Sequence, residues 1–135
     1  MAGYMCDKKH IRIVKTKNAI SSASPEENIL FALDVEKVLD NLPEEPLFDL
    51  VVTSPPYDIG KEYEKRMPLS EYVEWQRRII KKIYPRLKER GSICWEVGNY
   101  INNGEIAPLD IELAPIFKEL NMQLRNRIVW HFGHG

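Results

Sequence analysis

Leu50-Val51-Val52, followed at once by Thr53-Ser54-Pro55-Pro56-Tyr57, constrains this chain more than any other stretch. The apolar run reads as a buried strand. Two prolines forbid strand or helix to continue beyond it, because each fixes φ and neither has an N–H to give. A residue before a proline is pushed into extended conformations, so Ser54 and Pro55 are both held extended with their carbonyls turned outward. The result is a rigid row of acceptors with an aromatic ring beside it, at the end of a strand.

Such a surface suits a particular chemistry. The exocyclic amino group of cytosine or adenine is a poor nucleophile, since its lone pair is delocalised into the ring. Acceptors that take both amino hydrogens draw the nitrogen towards tetrahedral geometry and free that lone pair. Ser54 Oγ and a carbonyl of the Ser54-Pro55 segment can be those acceptors, acting by positioning and preorganised electrostatics. Tyr57 can stack on a base flipped out of a duplex. The plainer reading is a proline-stiffened loop that closes a strand.

Ser54-Pro55-Pro56-Tyr57 resembles the motif of the amino-group DNA methyltransferases, in which Asp, Asn or Ser precedes Pro-Pro and an aromatic. The rest of the chain supplies the context. Ile11-Arg12-Ile13-Val14 is a short β-like run in a polar N-terminal region, residues 1–24, expected to be a loosely attached strand or arm. Residues 29–33 read as a strand ending at Asp34, with a helix started by Ser24-Pro25-Glu26-Glu27 as the alternative. A short helix over 35–42 follows, stopped by Pro43 and Pro46, and then a strand over 48–52 leads into the motif. After a charged loop with Lys61, Lys65 and Arg66, Ser70 is the predicted N-cap of a long helix that Pro85 kinks and Gly91 stops. Residues 93–97 form the next strand, 102–104 a loop, 109–120 an amphipathic helix carrying Pro115, and 127–130 a last strand. Strand and helix alternation implies an α/β fold with a mostly parallel sheet and helices on both faces. In such sheets ligands bind beyond the C-terminal strand edges, which places 53–57 and 98–100 at one cleft.

Composition narrows the function classes. Nineteen basic residues against twenty acidic ones give no global attraction to nucleic acid, so any DNA contact must be local. Lys61, Lys65 and Arg66 are the cations nearest the motif. Arg77, Arg78, Lys81, Lys82, Arg86, Lys88 and Arg90 form a basic run assigned to one helix, read as a solvated face with a phosphate surface as the lesser alternative. Cys6 and Cys94 fit no metal or redox spacing, and His131 and His134 lack a third ligand, so no metal is expected. No apolar run approaches membrane-spanning length, and a cytoplasmic protein is the default.

The resemblance covers residues 30–135 and is closest to the permuted class, in which the catalytic motif precedes the cofactor motif. It implies a partial Rossmann-like sheet over 25–135 and methyl transfer from S-adenosylmethionine to the amino group of a flipped cytosine (N4) or adenine (N6) in double-stranded DNA. Transfer is implied to be direct, with no covalent enzyme intermediate. Ser54, Pro55, Pro56 and Tyr57 become the implied catalytic residues. Asp34, Thr53 and Ser54 lie towards the cofactor, and Tyr57, Asp58, Asn99, Tyr100, Lys61, Lys65 and Arg66 towards the substrate. Asp34 reads equally well as a helix cap, and Asp58 as a turn residue. A serine in the first motif position is more typical of N4 methylation. The chain departs from the family where the glycine-rich cofactor turn belongs, for none of its seven glycines makes one. This implies a catalytic-motif half that works with a second polypeptide or a missing C-terminal half. The alternatives are a non-catalytic DNA- or partner-binding remnant, or an N-methyltransferase acting on RNA or a protein glutamine.

Overall fold

The computed structural model describes residues 11–16, 20, 28–56 and 67–131. They fall into two units. One comprises the chain up to Pro55 together with Arg78–Glu96, and the other Pro56–Arg77 together with Val97–Gly135.

In the first unit, β1 (Ile11–Val14) pairs in parallel with β2 (Asn28–Phe31), with Ile13 opposite Leu30 and Val14 opposite Phe31. Of the two expectations for this run, strand or arm, the strand is the one observed, and it is paired. Val14 and Ile20 are buried with Val38 of α1 (Val35–Leu39), and Ile29, Phe31, Leu33 and Leu42 pack around them. Each such side chain taken fully out of water contributes about 1.5–3 kcal/mol, which explains why a five-residue helix persists here and would not alone. Asp34 caps α1, its Oδ1 accepting from the amides of Glu36 (3.0 Å) and Lys37 (3.2 Å).

The second parallel pair joins β3 (Phe48–Thr53) to β4 (Leu87–Trp95). Between them in sequence lies α2 (Leu69–Ile83), whose C-terminal turns belong to this unit. Here the sequence reading needs correcting twice. Ser70 is inside the first turn of α2, not at its cap. Pro68 holds the capping place, its carbonyl accepting from the Tyr72 amide at 3.0 Å, because at a helix start the N–H that a proline lacks would have no helical partner in any case. At the other end α2 stops at Ile83 and does not run on to Gly91. Pro85 cannot supply a helical N–H, and the chain tightens into a single 3-10 turn (Tyr84–Arg86) that leads straight into β4.

Gly91 consequently lies within β4. A Cβ there would stand 2.7 Å from Leu87 Cγ and 2.9 Å from the Lys88 carbonyl oxygen. It sits in a bulge, for Phe48 pairs with Leu87 whereas Leu50 pairs with Ser92.

In the second unit, β5 (Asn99–Asn102) and β6 (Glu105–Pro108) form an antiparallel hairpin. Asn103 and Gly104 take φ of 50° and 83°, the positive values that a tight two-residue turn demands. The loop expected over 102–104 is thus the turn of a hairpin. α3 (Leu109–Glu119) buries Leu109, Leu113 and Ile116 along one stripe. Pro115 deprives the Ile111 carbonyl of its helical donor, but both residues are on the exposed side, where water serves. Residues 127–130 belong to no sheet among the described residues, contrary to expectation.

The fold is thus mixed α/β with short parallel strand pairs. Helices on both faces of one continuous sheet are not seen among the described residues, where the strands form three separate two-stranded sheets.

Candidate active site

β3 delivers the motif to the C-terminal end of the β3–β4 pair. Thr53 is opposite Trp95, and the Thr53 carbonyl accepts from the Glu96 amide at 2.9 Å, so the two strands stay paired up to the last residue before Ser54. Ser54 is exposed, Pro55 buried and Pro56 exposed. A buried proline beyond a paired strand end fixes the direction of the segment, and the exposed serine is what it presents. Parallel strands carry their ligand-facing residues at this edge.

Glu96, an acidic residue in the apolar run 93–97, reads from the sequence either as a site residue or as a solvated edge position. It lies one position past β4, exposed, its amide on the motif's own backbone. The parallel register was the missing signal, because it sets the ends of β3 and β4 level. Asp34, in the same unit, acts as the helix cap described above. The cap geometry explains its position without a ligand.

The residues expected at one cleft divide between the units: Asp34, Thr53, Ser54 and Pro55 in the first, Pro56, Asn99 and Tyr100 in the second. Tyr57, Asp58, Lys61, Lys65 and Arg66 lie outside the described residues, as does His134. In the second unit Asn99 is exposed at the start of β5. Tyr100 is 5% exposed and its hydroxyl donates to the Met67 carbonyl at 3.0 Å. Its ring thus anchors the backbone just ahead of α2, a role the sequence reading did not assign. Beside it is a shallow depression lined by Pro68, Leu69, Ile106, Glu105 and Glu112. Two carboxylates and no cation make that depression unsuited to a phosphate.

The basic run is largely consumed inside the molecule. Arg77 pairs with Glu74 (3.0 Å) and with Glu119. Lys82 pairs with Asp40 (2.7 Å) and Glu36 (3.5 Å), Arg78 with Glu36 (3.5 Å), and Lys88 with Asp49 (2.8 Å). Arg86 is buried, donating to the carbonyls of Lys82 and Leu42. Nor does the run belong to one helix, since Arg86 is in the 3-10 turn and Lys88 and Arg90 are on β4. Hydrogen bonding to Asp40 first, then the charges of Asp40 and Glu36, hold the Lys82 ammonium above its ordinary pKa of 10.5 against an opposing desolvation. Among the described residues no cluster of three or more His, Cys, Asp or Glu is placed to hold a metal, and no helix is long and apolar enough to cross a membrane.

A family model described as DNA methylase, for N6 and N4 methyltransferases, matches residues 48–133. The chain belongs to that DNA methylase family. Its relatives include the type II methyltransferase M.BglII of Bacillus subtilis, 46% identical over 121 residues, which are 87% of this chain and 33% of that protein. The type II methyltransferase M.MjaVI of Methanocaldococcus jannaschii is 32% identical over 94 residues, 67% of this chain and 48% of that protein. The type II methyltransferase M.ScaI of Streptomyces caespitosus is 31% identical over 110 residues, 79% of this chain and 34% of that protein. The chain thus spans a third to a half of the length of these curated relatives. No solved structure matches it.

Proposed function

We propose that this chain is the catalytic-motif part of a site-specific DNA methyltransferase, in which Ser54, Pro55, Pro56 and Tyr57 receive the exocyclic amino group of a flipped cytosine or adenine. The observation that carries the reading is the exposed Ser54 beside buried Pro55 at the C-terminal end of a parallel strand pair, within a chain of the DNA methylase family. The full domain is read as a Rossmann-like sheet in a cytoplasmic enzyme.

This chain's residues act on the acceptor side of the reaction. Ser54 Oγ and a carbonyl of the Ser54-Pro55 segment accept the two amino hydrogens, which localises the nitrogen lone pair. Tyr57 stacks on the base and holds it out of the duplex, and Asp58 and Asn99 line its edge. Lys61, Lys65 and Arg66 contact the DNA backbone near the motif. Tyr100, the other substrate-side residue, is fixed by its bond to the Met67 carbonyl just ahead of α2.

The methyl donor of this family is S-adenosylmethionine, and the chain fits it only in part. Asp34 Oδ1 is engaged in the α1 cap and the Thr53 carbonyl in the strand pair. Among the described residues Gly91 lies within β4, Gly98 leads into β5 and Gly104 is in the hairpin turn, so none of the three opens a helix after a strand. The donor site therefore needs residues from a further stretch of polypeptide, and no catalytic step through the donor is assigned to this chain.

The test is reconstitution with the portion of the Bacillus relative that this chain does not match, followed by transfer of labelled methyl to duplex DNA, RNA and a glutamine peptide. DNA alone should be labelled. Ser54→Ala should reduce transfer by roughly 100-fold or more, the scale of removing one preorganised polar group from a reacting centre, and Tyr57→Ala should abolish it. Full activity of both variants would sink the assignment.

A further inference from the structure

Of the eight asparagines in the chain, Asn103 alone is followed by glycine. The pairing has a chemical consequence, because the backbone nitrogen that follows an asparagine can attack the Cγ of that asparagine's own side chain. A side chain on the attacking residue stands in the way, and glycine has none. Nothing lies within 4 Å of where a Cβ of Gly104 would be.

The hairpin also leaves the attacking nitrogen unengaged. Asn102 pairs with Glu105, so the ladder closes on those two residues and the Gly104 amide falls outside it. Asn103 and Gly104 are both exposed, and neither is held by a hydrogen bond among the described residues. Two other asparagines show what protection looks like. Asn121 shares the exposure and the positive φ, at 58°, but Met122 carries a side chain and its amide donates to the Phe117 carbonyl at 3.0 Å. Asn41 Nδ2 donates to the Lys37 carbonyl at 2.8 Å, and the Leu42 amide to the Val38 carbonyl at 3.1 Å, so side chain and attacking nitrogen are both tied down.

We infer that Asn103 is a site of spontaneous deamidation and that its isoaspartyl product undoes the β5–β6 hairpin. Hydroxide takes the Gly104 amide proton, the nitrogen bonds to Asn103 Cγ, and the Cγ–Nδ2 bond breaks. Ammonia leaves with a proton from water, which restores the hydroxide, and a succinimide ring remains. Water then opens the ring at one of its carbonyls. Opening at Cγ yields aspartate and the original backbone. Opening at the main-chain carbonyl yields isoaspartate, in which the backbone runs through Cβ and Cγ and is one carbon longer. A two-residue turn fixes the register of its strands and has no place for that carbon. Loss of register parts Tyr100 from Ala107 and unseats the hydroxyl that donates to the Met67 carbonyl. The inference concerns the hairpin itself and stands apart from the methyl-transfer reading.

The test is to incubate the purified chain in mildly alkaline buffer and map its peptides by mass spectrometry, with electron-transfer fragmentation to tell isoaspartate from aspartate. Asn103 should convert first, roughly tenfold or more faster than Asn121, the margin of one hydrogen bond withheld from the attacking nitrogen. Its rate should climb with hydroxide. The isolated isoaspartyl chain should unfold at a lower urea midpoint, whereas Asn103→Asp, which adds the charge without the extra carbon, should keep that of the parent. Asn103 left intact, or conversion of Asn121 at the same rate, overturns the site. An isoaspartyl chain as stable as the parent overturns the effect on the hairpin, and so does an equal loss in Asn103→Asp, which would make the charge beside Glu105 its cause.

Discussion

Replacing Gly91 by alanine should destabilise the first unit, and the reason is space alone. Gly91 is not among the positive-φ glycines, so an alanine there meets no conformational penalty. What it meets is Leu87 Cγ at 2.7 Å, Leu87 Cδ1 at 2.9 Å and the Lys88 carbonyl oxygen at 2.9 Å. Leu87 can rotate away, at the expense of an off-rotamer side chain or lost packing, but the carbonyl belongs to the bulge itself and moves only if the β3–β4 register does. Overpacking of this kind costs about 1–3 kcal/mol. Urea unfolding of the chain followed by circular dichroism should show a lower midpoint with an unchanged slope. The same substitution in a Leu87→Ala background separates the two contacts, for the penalty should shrink and not vanish. A Gly91→Ala variant as stable as the parent, or a penalty identical in both backgrounds, would refute the reasoning.

Gly104→Ala makes the complementary case: nothing lies within 4 Å of its added Cβ, yet φ is +83°, so it should lose about 1–2 kcal/mol through backbone strain alone, and Gly104→Asn should recover part of that in the same urea assay. Tyr100→Phe should cost about 1 kcal/mol, the net worth of the bond to the Met67 carbonyl, and unchanged stability in the same urea assay would remove that bond from the account. Because the Lys82 pKa is raised on folding, its contribution is fully present below the ordinary lysine value and is lost as pH climbs through the raised one. The difference in urea midpoint between the parent and Lys82→Met should therefore be flat from roughly pH 6 to 9 and narrow only in the alkaline limb; narrowing near neutrality would contradict the assigned pairs.

The motif was legible in the sequence because its constraints are covalent and local: prolines at 55 and 56 act whatever surrounds them. The strand before it and α3 were legible from uninterrupted apolar runs and a helical stripe. The end of α2 was not, since Ile83 and Leu87 both fit its apolar period and the choice between helix and strand at Leu87 was made by pairing with Phe48, a partner 39 positions away. The hairpin around Asn103-Gly104 is signalled in the sequence by its turn pair alone. Residues 127–130 show the opposite error. Ile128 and Val129 are 87% and 74% exposed, and β-forming side chains make a strand only where a neighbouring strand supplies the ladder. For the site, residue identities were readable but their engagement only in part: the sequence left Asp34 between helix cap and cofactor contact, and nothing in it says that Lys82 is held by Glu36 and Asp40.

The three-residue joint between α2 and β4 leaves no slack. Arg86 ties it to the Lys82 and Leu42 carbonyls, and its own carbonyl takes the Leu47 amide at 2.8 Å. One residue added or removed there would turn every side chain of β4 to the other side and shift Trp95 away from Thr53. Length variation, affinity tags and split points therefore belong at the tip of the Asn103-Gly104 turn, while the distance along the chain from α2 to β4 behaves as a fixed gauge that sets where the catalytic strand ends.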